Sequence, residues 1–227
     1  KRLHAKSHLV RRYLSGSVPS PKRVTLLTVP LQPRNMSAWD SEHFSRSFVL
    51  KWLLMNRPNE AVLISDVDEI LDYEEMSRLD TKSIGCVVPL LRFYYYCLSC
   101  RYGEWAHQTL FRTDGSWFLD RVNPSQYNDI RNNHHGCPVS ERLMGWHISY
   151  AFPTNKILGK LKSFSHHADK LVTDLLADED KVDIINRRVQ RCEDLFGRHR
   201  EIQTADNRIR PELRILPQHE LCPSVSI

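Results

Sequence analysis

With 227 residues, 41% of them hydrophobic and 26% charged, the chain can build one sizeable core, and a single domain over residues 1–227 is the expectation. The net charge of +5 suits an anionic ligand, but Lys and Arg are scattered among acidic residues without a long basic block, which argues against a nucleic-acid partner. No apolar run is long enough to span a bilayer, and the start at Lys1-Arg2 lacks both a signal-peptide pattern and an initiator Met; the chain is therefore expected to begin inside a longer protein, with any membrane contact made by a segment outside it.

Residues 1–23 are basic and polar, and Ser15-Gly16-Ser17-Val18-Pro19-Ser20-Pro21 reads as a loop after a short amphipathic helix. Arg23 to Val29 has the character of a buried strand, ended by Pro30 and Pro33. Ser37 or Asp40 then caps a helix in which Phe44, Phe48, Trp52 and Met55 recur at helical spacing as a core stripe, closed by Arg57-Pro58-Asn59. Ala61 to Ile64 forms the next strand and delivers Asp66 and Asp68 to its carboxyl end. Strand, helix and strand with short connections predict a parallel α/β sheet, whose ligands bind beyond the carboxyl ends of its strands.

A helix near Tyr73 to Asp80 precedes a buried strand over Gly85 to Cys97, and Gln108 to Arg112 and Ser116 to Leu119 read as short antiparallel strands around the turn at Thr113-Asp114-Gly115. Asp120 to Val139 is polar and irregular, with His134-His135 inside it. Strand character returns over Met144 to Phe152, and Thr154 or Asn155 caps a helix bearing Ile157, Leu158, Leu161 and Phe164, with Lys156, Lys160 and Lys162 on the other side. A long helix over Val172 to Phe196 and an extended tail after Arg210 complete the reading.

The six cysteines, Cys86, Cys97, Cys100, Cys137, Cys192 and Cys222, show no repeated pair spacing of a zinc site; Cys97-Leu98-Ser99-Cys100 has redox-type spacing but no second pair to complete a metal centre, and the set is read as structural. Asp66-Val67-Asp68-Glu69 is the chemically richest segment. Hard cations such as Mg²⁺ and Mn²⁺ take oxygen ligands, commonly one or two carboxylates plus substrate phosphates, so carboxylates clustered at a strand end are a candidate divalent-metal site. Downstream, His147 offers an imidazole that Mn²⁺ accepts, and Lys160 and Lys162 offer charge to a diphosphate.

Asp66-Val67-Asp68-Glu69, the aromatic Phe93-Tyr94-Tyr95-Tyr96, Gly145-Trp146-His147 with Ser149, and Lys160-Leu161-Lys162-Ser163-Phe164-Ser165-His166 resemble, in this order, the family 17 glycosyltransferases. That family includes the β-1,4-mannosyl-glycoprotein 4-β-N-acetylglucosaminyltransferase that places bisecting GlcNAc on N-glycans. The resemblance runs from about Lys1 to Gln218 and rests on the combined pattern, not on Asp-x-Asp alone. It implies an α/β fold of the glycosyltransferase A type, a Rossmann-like mixed sheet flanked by helices, UDP-GlcNAc as donor, a glycan or glycoprotein acceptor, and inversion at the anomeric carbon. It also implies a divalent metal, Mn²⁺ or Mg²⁺, held by Asp66, Asp68 and His147, with Asp66, Asp68, Glu69, Lys160 and Lys162 facing the sugar nucleotide. A eukaryotic parent would be a type II membrane protein of the Golgi lumen, and any other parent would be cytoplasmic. Leu71 stands where the family often has Pro, and Lys1 falls after the family's first strand, so the segment expected to hold the nucleotide base precedes this chain.

In a single displacement a carboxylate must take the acceptor proton; Glu104, Asp120 and Glu141 are candidates, and Trp105, Trp117 and Trp146 are candidate sugar platforms. The rival readings are a phosphohydrolase of the haloacid dehalogenase type, with Asp66 as nucleophile, and a glycan-binding relative without catalysis. The first wants Thr or Val where Ile70 stands and leaves Gly145-Trp146-His147 without a role.

Overall fold

The structure, a computed structural model, describes residues 27, 29, 36–56, 59–80, 82, 83, 85–114, 136–164, 166–198, 203 and 204. The chain divides into two units, Lys1–Gln32 and Pro33–Ile227, and everything below concerns the second. Apart from Leu27 and Val29, the strand expected over Arg23 to Val29 lies outside the description, as do the strand over Ser116 to Leu119, Asp120, Trp117, the His134-His135 pair and the tail after Arg210.

Helix α1, Ala38–Asn56, starts where a capping side chain allows it. Ser37 Oγ accepts from the Asp40 backbone N–H at 3.0 Å and donates to the Asp40 carboxylate at 2.6 Å, which satisfies one of the amide groups that a helix start leaves open. The buried face of α1 is not the expected one. Phe44 is 37% and Met55 77% exposed, whereas Leu50 is fully buried and Leu53 packs beside it against Val62, Val88 and Phe111. At about 100° per residue, the Glu42, Arg46, Leu50 and Leu53 face stands roughly 200° from a stripe displaced by two positions. Large aromatics drew the sequence reading to the wrong side, while two leucines supply the contact.

Strand β3, Cys86–Tyr95, is the centre of a seven-stranded mixed sheet. Along one edge run β5, Thr109–Arg112, and β4, Cys100–Trp105, both antiparallel, with Val87 opposite Leu110 and Phe93 opposite Gly103. Strand β1, Ala61–Ile64, continues the sheet antiparallel to β5, with Ile64 opposite Thr109. On the other edge β6, Val139–Ser149, runs parallel to β3, and β2, Glu69–Leu71, pairs antiparallel with β6. The two-residue β7, Gln203–Thr204, lies against β4. Strands β1, β3 and β6 thus share one direction, but only β3 and β6 are direct neighbours. The protein is a mixed α/β fold with a mixed sheet, as expected, and the strand over Arg23 to Val29 on which the parallel strand, helix and strand wiring rested lies largely outside the described residues.

Two further corrections concern β6 and the last helix. β6 begins five residues earlier than its apolar run suggests, because Val139 to Arg142 is an exposed polar stretch that only its pairing with β3 makes a strand; Gly145-Trp146-His147 therefore sits in the strand's last third. The long helix over Val172 to Phe196 is two helices, α4 over Lys170–Ala177 and α5 over Lys181–Gln190. Asp178 breaks it, accepting the Asp180 N–H on its side chain at 2.8 Å, an Asx turn that competes with the helical bond. Short α2, Tyr73–Ser77, is capped by the Asp72 carboxylate. Helix α3, Thr154–Leu161, follows Pro153 without a side-chain cap; Thr154 Oγ1 instead donates to Asn186 and joins α3 to α5.

The main core lies where the carboxyl ends of β3 and β6 meet these helices: Phe93, Tyr95, Tyr96 and Tyr150 pack with Ile157, Leu161, Val172, Leu175, Ile185 and Leu195. Disulfide Cys100–Cys192 ties into this core and Cys86–Cys137 into a second cluster with Leu50, Val62, Val88 and Phe111, across sequence separations of 92 and 51 residues. In the chain-entropy description closures of that length stabilise by about 4 kcal/mol each. Cys97 is also disulfide-bonded, so the C-x-x-C pair closes on other partners rather than on itself. Among the described residues no helix is long and apolar enough to cross a membrane.

Candidate functional site

The end of β1 places the acidic turn. Beyond Ile64 the chain turns at 66–69, with the Glu69 N–H donating to the Asp66 carbonyl at 3.1 Å, and re-enters the sheet as β2 with Glu69 opposite His147. Glu69 is only 6% exposed and both of its oxygens are engaged: Oε2 accepts from the Asp66 N–H at 2.6 Å, and Oε1 accepts from Trp105 Nε1 at 2.7 Å. The Asp68 carbonyl accepts from the Ile148 N–H at 2.9 Å. Glu69 is therefore an internal tie that orients the turn, and Asp66 and Asp68 project from a segment fastened to β4 and β6.

Asp68 is the electrostatic centre of the site. Its Oδ2 lies 3.3 Å from Lys160 Nζ and 3.8 Å from His147 Nε2. Burial pushes the Asp68 carboxyl up, but hydrogen bonding with His147 and the charge of Lys160 outweigh it and bring the pKa down to about 2. Lys160, on the last turn of α3, also stands 4.7 Å over the ring of Tyr150. His147 stacks on Phe93 with centroids 4.7 Å apart and meets Trp105 edge to face at 4.2 Å. Its Nδ1 is buried and has no hydrogen-bond partner among the described residues. Asp66 is held by Arg46 of α1, Nη2 to Oδ1 at 3.2 Å, and Arg46 Nη1 holds Glu42 at 2.7 Å.

These side chains line a cleft of about 690 Å³. Trp39 of α1 forms part of its rim, edge to face with His166 at 4.4 Å, and Tyr95, Tyr102, Trp105 and Phe196 contribute aromatic wall. The far wall carries a second ionic group: Arg198 grips the buried Asp194 through Nη2 at 2.8 Å and reaches the Tyr95 hydroxyl at 3.1 Å, while the Tyr102 hydroxyl donates to Asp194 at 3.0 Å. Burial holds the phenols of Tyr95, Tyr96 and Tyr150 well above the usual tyrosine range, so they remain neutral donors. Tyr96 and Tyr150 end β3 and β6 at φ of 63° and 56°, left-handed conformations uncommon for aromatic residues, and the Tyr96 N–H donates to the Ser149 carbonyl at 2.8 Å. Of the two, Tyr150, just past β6, lines the cleft beside Tyr95, while the Tyr96 hydroxyl donates to the Glu193 carbonyl at 2.8 Å.

Asp194 yields a pH prediction. Burial pushes its carboxyl up, but hydrogen bonds from Arg198 and from the backbone N–H groups of Phe196 and Arg198 hold it below the usual carboxylate range. A folded-state pKa below the unfolded value stabilises the protein above the unfolded value, near pH 4, and this contribution disappears as pH falls through the folded value. Asp194→Asn is expected to cost about 2 kcal/mol at pH 7 and to flatten the loss of melting temperature between about pH 5 and about pH 3. Thermal unfolding followed by circular dichroism at several pH values checks it; an equal slope in both proteins would refute the assignment.

Of the residues singled out from sequence, Asp66, Asp68, His147 and Lys160 come together in the cleft, and Glu69 stands directly behind them. Lys162 is exposed at the C-cap of α3 and does not line it. Glu104 is exposed on β4 opposite Arg92, and Glu141 is exposed near the start of β6, six residues before His147; neither lines the cleft. Trp105 does, but Trp146 packs with Tyr94, Leu98 and Ile148 in a separate cluster. Sequence reasoning missed Glu42, Arg46, Asp169, Asp194 and Arg198. The i, i+4 spacings of Glu42 with Arg46 and of Asp194 with Arg198 are the local signals that marked these pairs.

Among the described residues no three His, Cys, Asp or Glu side chains gather at metal-binding spacing. The donors present still suit a hard divalent cation of the kind that takes only part of its shell from protein: the Asp68 carboxylate is anionic, half-buried and beside an imidazole whose buried Nδ1 lacks a partner. Comparison with protein-family models, curated proteins and solved structures finds no match to this chain.

Proposed function

We propose that this chain is the catalytic segment of an inverting, metal-dependent N-acetylglucosaminyltransferase of the family 17 type, with a glycosyltransferase A-type fold, UDP-GlcNAc as donor and a mannose-containing glycan or glycoprotein as acceptor. The observation that carries the reading is the Asp68 carboxylate at the end of β1, shared by Lys160 and His147 inside an aromatic-walled cleft. That arrangement supplies anion, cation and imidazole where a sugar nucleotide needs them, and aromatic faces suit sugar rings.

Asp68 and His147, supported by Asp66, would hold Mn²⁺ or Mg²⁺, which when bound offsets negative charge on the departing diphosphate. Lys160 offsets the same charge from the other side, and Glu69 keeps the acidic turn in place through Trp105. In the transfer an acceptor hydroxyl oxygen bonds to the anomeric carbon as the bond to the UDP oxygen breaks. UDP leaves with the electron pair, and the hydroxyl proton passes to a carboxylate. Beyond Asp66 and Asp68, the described carboxylates that line the cleft are Glu42 and Asp169, which makes them better placed for that proton than Glu104 or Glu141. Disulfide-bonded Cys86, Cys100, Cys137 and Cys192 suit an oxidising lumen, in keeping with a Golgi location.

The decisive experiment is UDP release from UDP-GlcNAc with Mn²⁺ and a panel of glycan acceptors. Transfer that requires both Mn²⁺ and a mannose-bearing acceptor is the expected result. Glycan binding without UDP release from any acceptor would replace the transferase reading by that of a lectin-like relative.

A further inference from the structure

The far wall of the cleft is built on one ion pair. The Asp194 side chain is fully buried, and Arg198, 44% exposed, reaches it with Nε at 3.1 Å and Nη2 at 2.8 Å. The backbone N–H groups of Phe196 and Arg198 and the Tyr102 hydroxyl also donate to Asp194. A carboxylate so enclosed cannot part from its cation without being stranded in the interior, so the pair is fixed. Of the two, Arg198 lines the cleft, which therefore meets a planar donor whose charge is already offset. Beside it the Tyr95 hydroxyl accepts from Arg198 Nη2 at 3.1 Å, and a phenol that accepts there still has its own proton to donate. The partly buried rings of Tyr102 and Phe196 flank these groups, with the guanidinium 5.3 Å over Phe196.

Building on the proposed transferase reading, we infer that this wall is the acceptor subsite, where a neutral hexopyranose places adjacent hydroxyl oxygens on Arg198 and Tyr95 and its apolar face on the neighbouring rings. Charge separates it from the donor end. An anion here would stand beside the fixed Asp194 carboxylate, whereas sugar hydroxyls need directed donors rather than net charge, and aromatic rings suit the C–H face of a pyranose. The position suits transfer as well. Lys160, the cation at the Asp68 end, stands 4.7 Å over the Tyr150 ring, and the same ring lies 5.8 Å from that of Tyr95 and 6.4 Å from that of Phe196. One aromatic side chain thus separates the end assigned to the diphosphate from the wall assigned to the acceptor. Two substrates bound there lie side by side, as a single displacement requires.

Binding of a mannose-bearing trisaccharide to the full chain, by calorimetry with and without UDP and Mn²⁺, tests this; UDP affinity in Mn²⁺ and the melting temperature are measured on the same proteins. Tyr95→Phe removes one oxygen and keeps the ring, and is expected to weaken trisaccharide binding about five- to tenfold. Arg198→Lys keeps a positive charge for Asp194 but loses the planar fork, and is expected to weaken it at least about tenfold. UDP affinity is expected to stay within about twofold of wild type in both variants, because neither residue belongs to the diphosphate end. Unchanged trisaccharide affinity in both variants would overturn the subsite. So would equal weakening of both ligands with a lowered melting temperature, the mark of a structural role, or displacement of the trisaccharide by inorganic phosphate in the presence of UDP and Mn²⁺, the mark of an anion site. The two readings fail separately. A wild-type chain that binds UDP but not the trisaccharide overturns the subsite alone, one that binds the trisaccharide but not UDP keeps the saccharide site and removes the transferase reading, and one that binds neither removes both.

Discussion

Asp68→Asn is expected to leave the chain folded and to lower the proposed N-acetylglucosamine transfer by about three orders of magnitude, a loss of the size seen when one preorganised charge contact to a transition state is removed. The substitution keeps the backbone carbonyl that accepts from Ile148 and the side-chain volume, so the turn between β1 and β2 stays in register. It deletes the one anionic oxygen that Lys160 and His147 share. Lys160 remains partly exposed and keeps its place over the Tyr150 ring, so water takes up part of the lost contact. The neighbours that hold the Asp68 carboxyl down to about 2 also stabilise the fold at neutral pH, so the melting temperature is expected to fall by about 2–5 °C; kcat/KM in the UDP-release assay at saturating Mn²⁺ is the second measurement. Asp66→Asn is the informative comparison: Asp66 faces Arg46 rather than His147, and its loss is expected to cost less. Activity within tenfold of wild type in Asp68→Asn would place the chemistry elsewhere in the cleft.

The parts of this site legible in the sequence are those carried by local patterns. Ala61 to Ile64 is an apolar run short enough for a strand and is followed at once by the acidic turn, so both β1 and the position of Asp66 and Asp68 follow from the eight residues Ala61 to Asp68. The core strand β3 and the capping by Ser37 are equally local. What was hidden depends on contacts between distant residues. Arg46 meets Asp66 across 20 positions, Trp105 meets Glu69 across 36, and Arg198 meets Tyr95 across 103. No periodicity encodes such pairs. The first half of β6 was invisible for a related reason: Val139 to Arg142 lacks an apolar face, and the pairing of β6 with β3 holds it in the sheet. The neighbour of β1 in the sheet was likewise hidden, because a hairpin from β3 runs back through β4 into β5 and inserts itself between β3 and β1.

Gly145→Ala is expected to be the most damaging alanine substitution among Gly103, Gly136, Gly145, Gly159 and Gly197. Gly145 lies opposite Leu71 in the β2 and β6 pairing, and a Cβ there would stand 2.2 Å from the Ile70 carbonyl oxygen and 2.9 Å from the Leu71 Cα. Both are backbone atoms, so no rotamer change relieves the overlap, and β2 must move off β6. Overpacking of this kind costs about 3 kcal/mol, which for a chain of this size lowers the melting temperature by roughly 6–12 °C. The damage reaches the site because β2 holds Glu69 opposite His147, and Glu69 fixes the turn through the Asp66 N–H and Trp105. A displaced β2 therefore loosens Asp66 and Asp68 together, and donor affinity falls along with stability. Gly159→Ala supplies the control. Gly159 lies in α3 beside Lys160, with nothing within 4 Å of its Cβ position, and alanine there favours the helix by about 0.5–1 kcal/mol. The pair is read by thermal unfolding and by UDP binding in Mn²⁺. A Gly145→Ala protein that melts with wild type, or one that loses stability but binds UDP normally, would show that the acidic turn does not depend on β2 for its position.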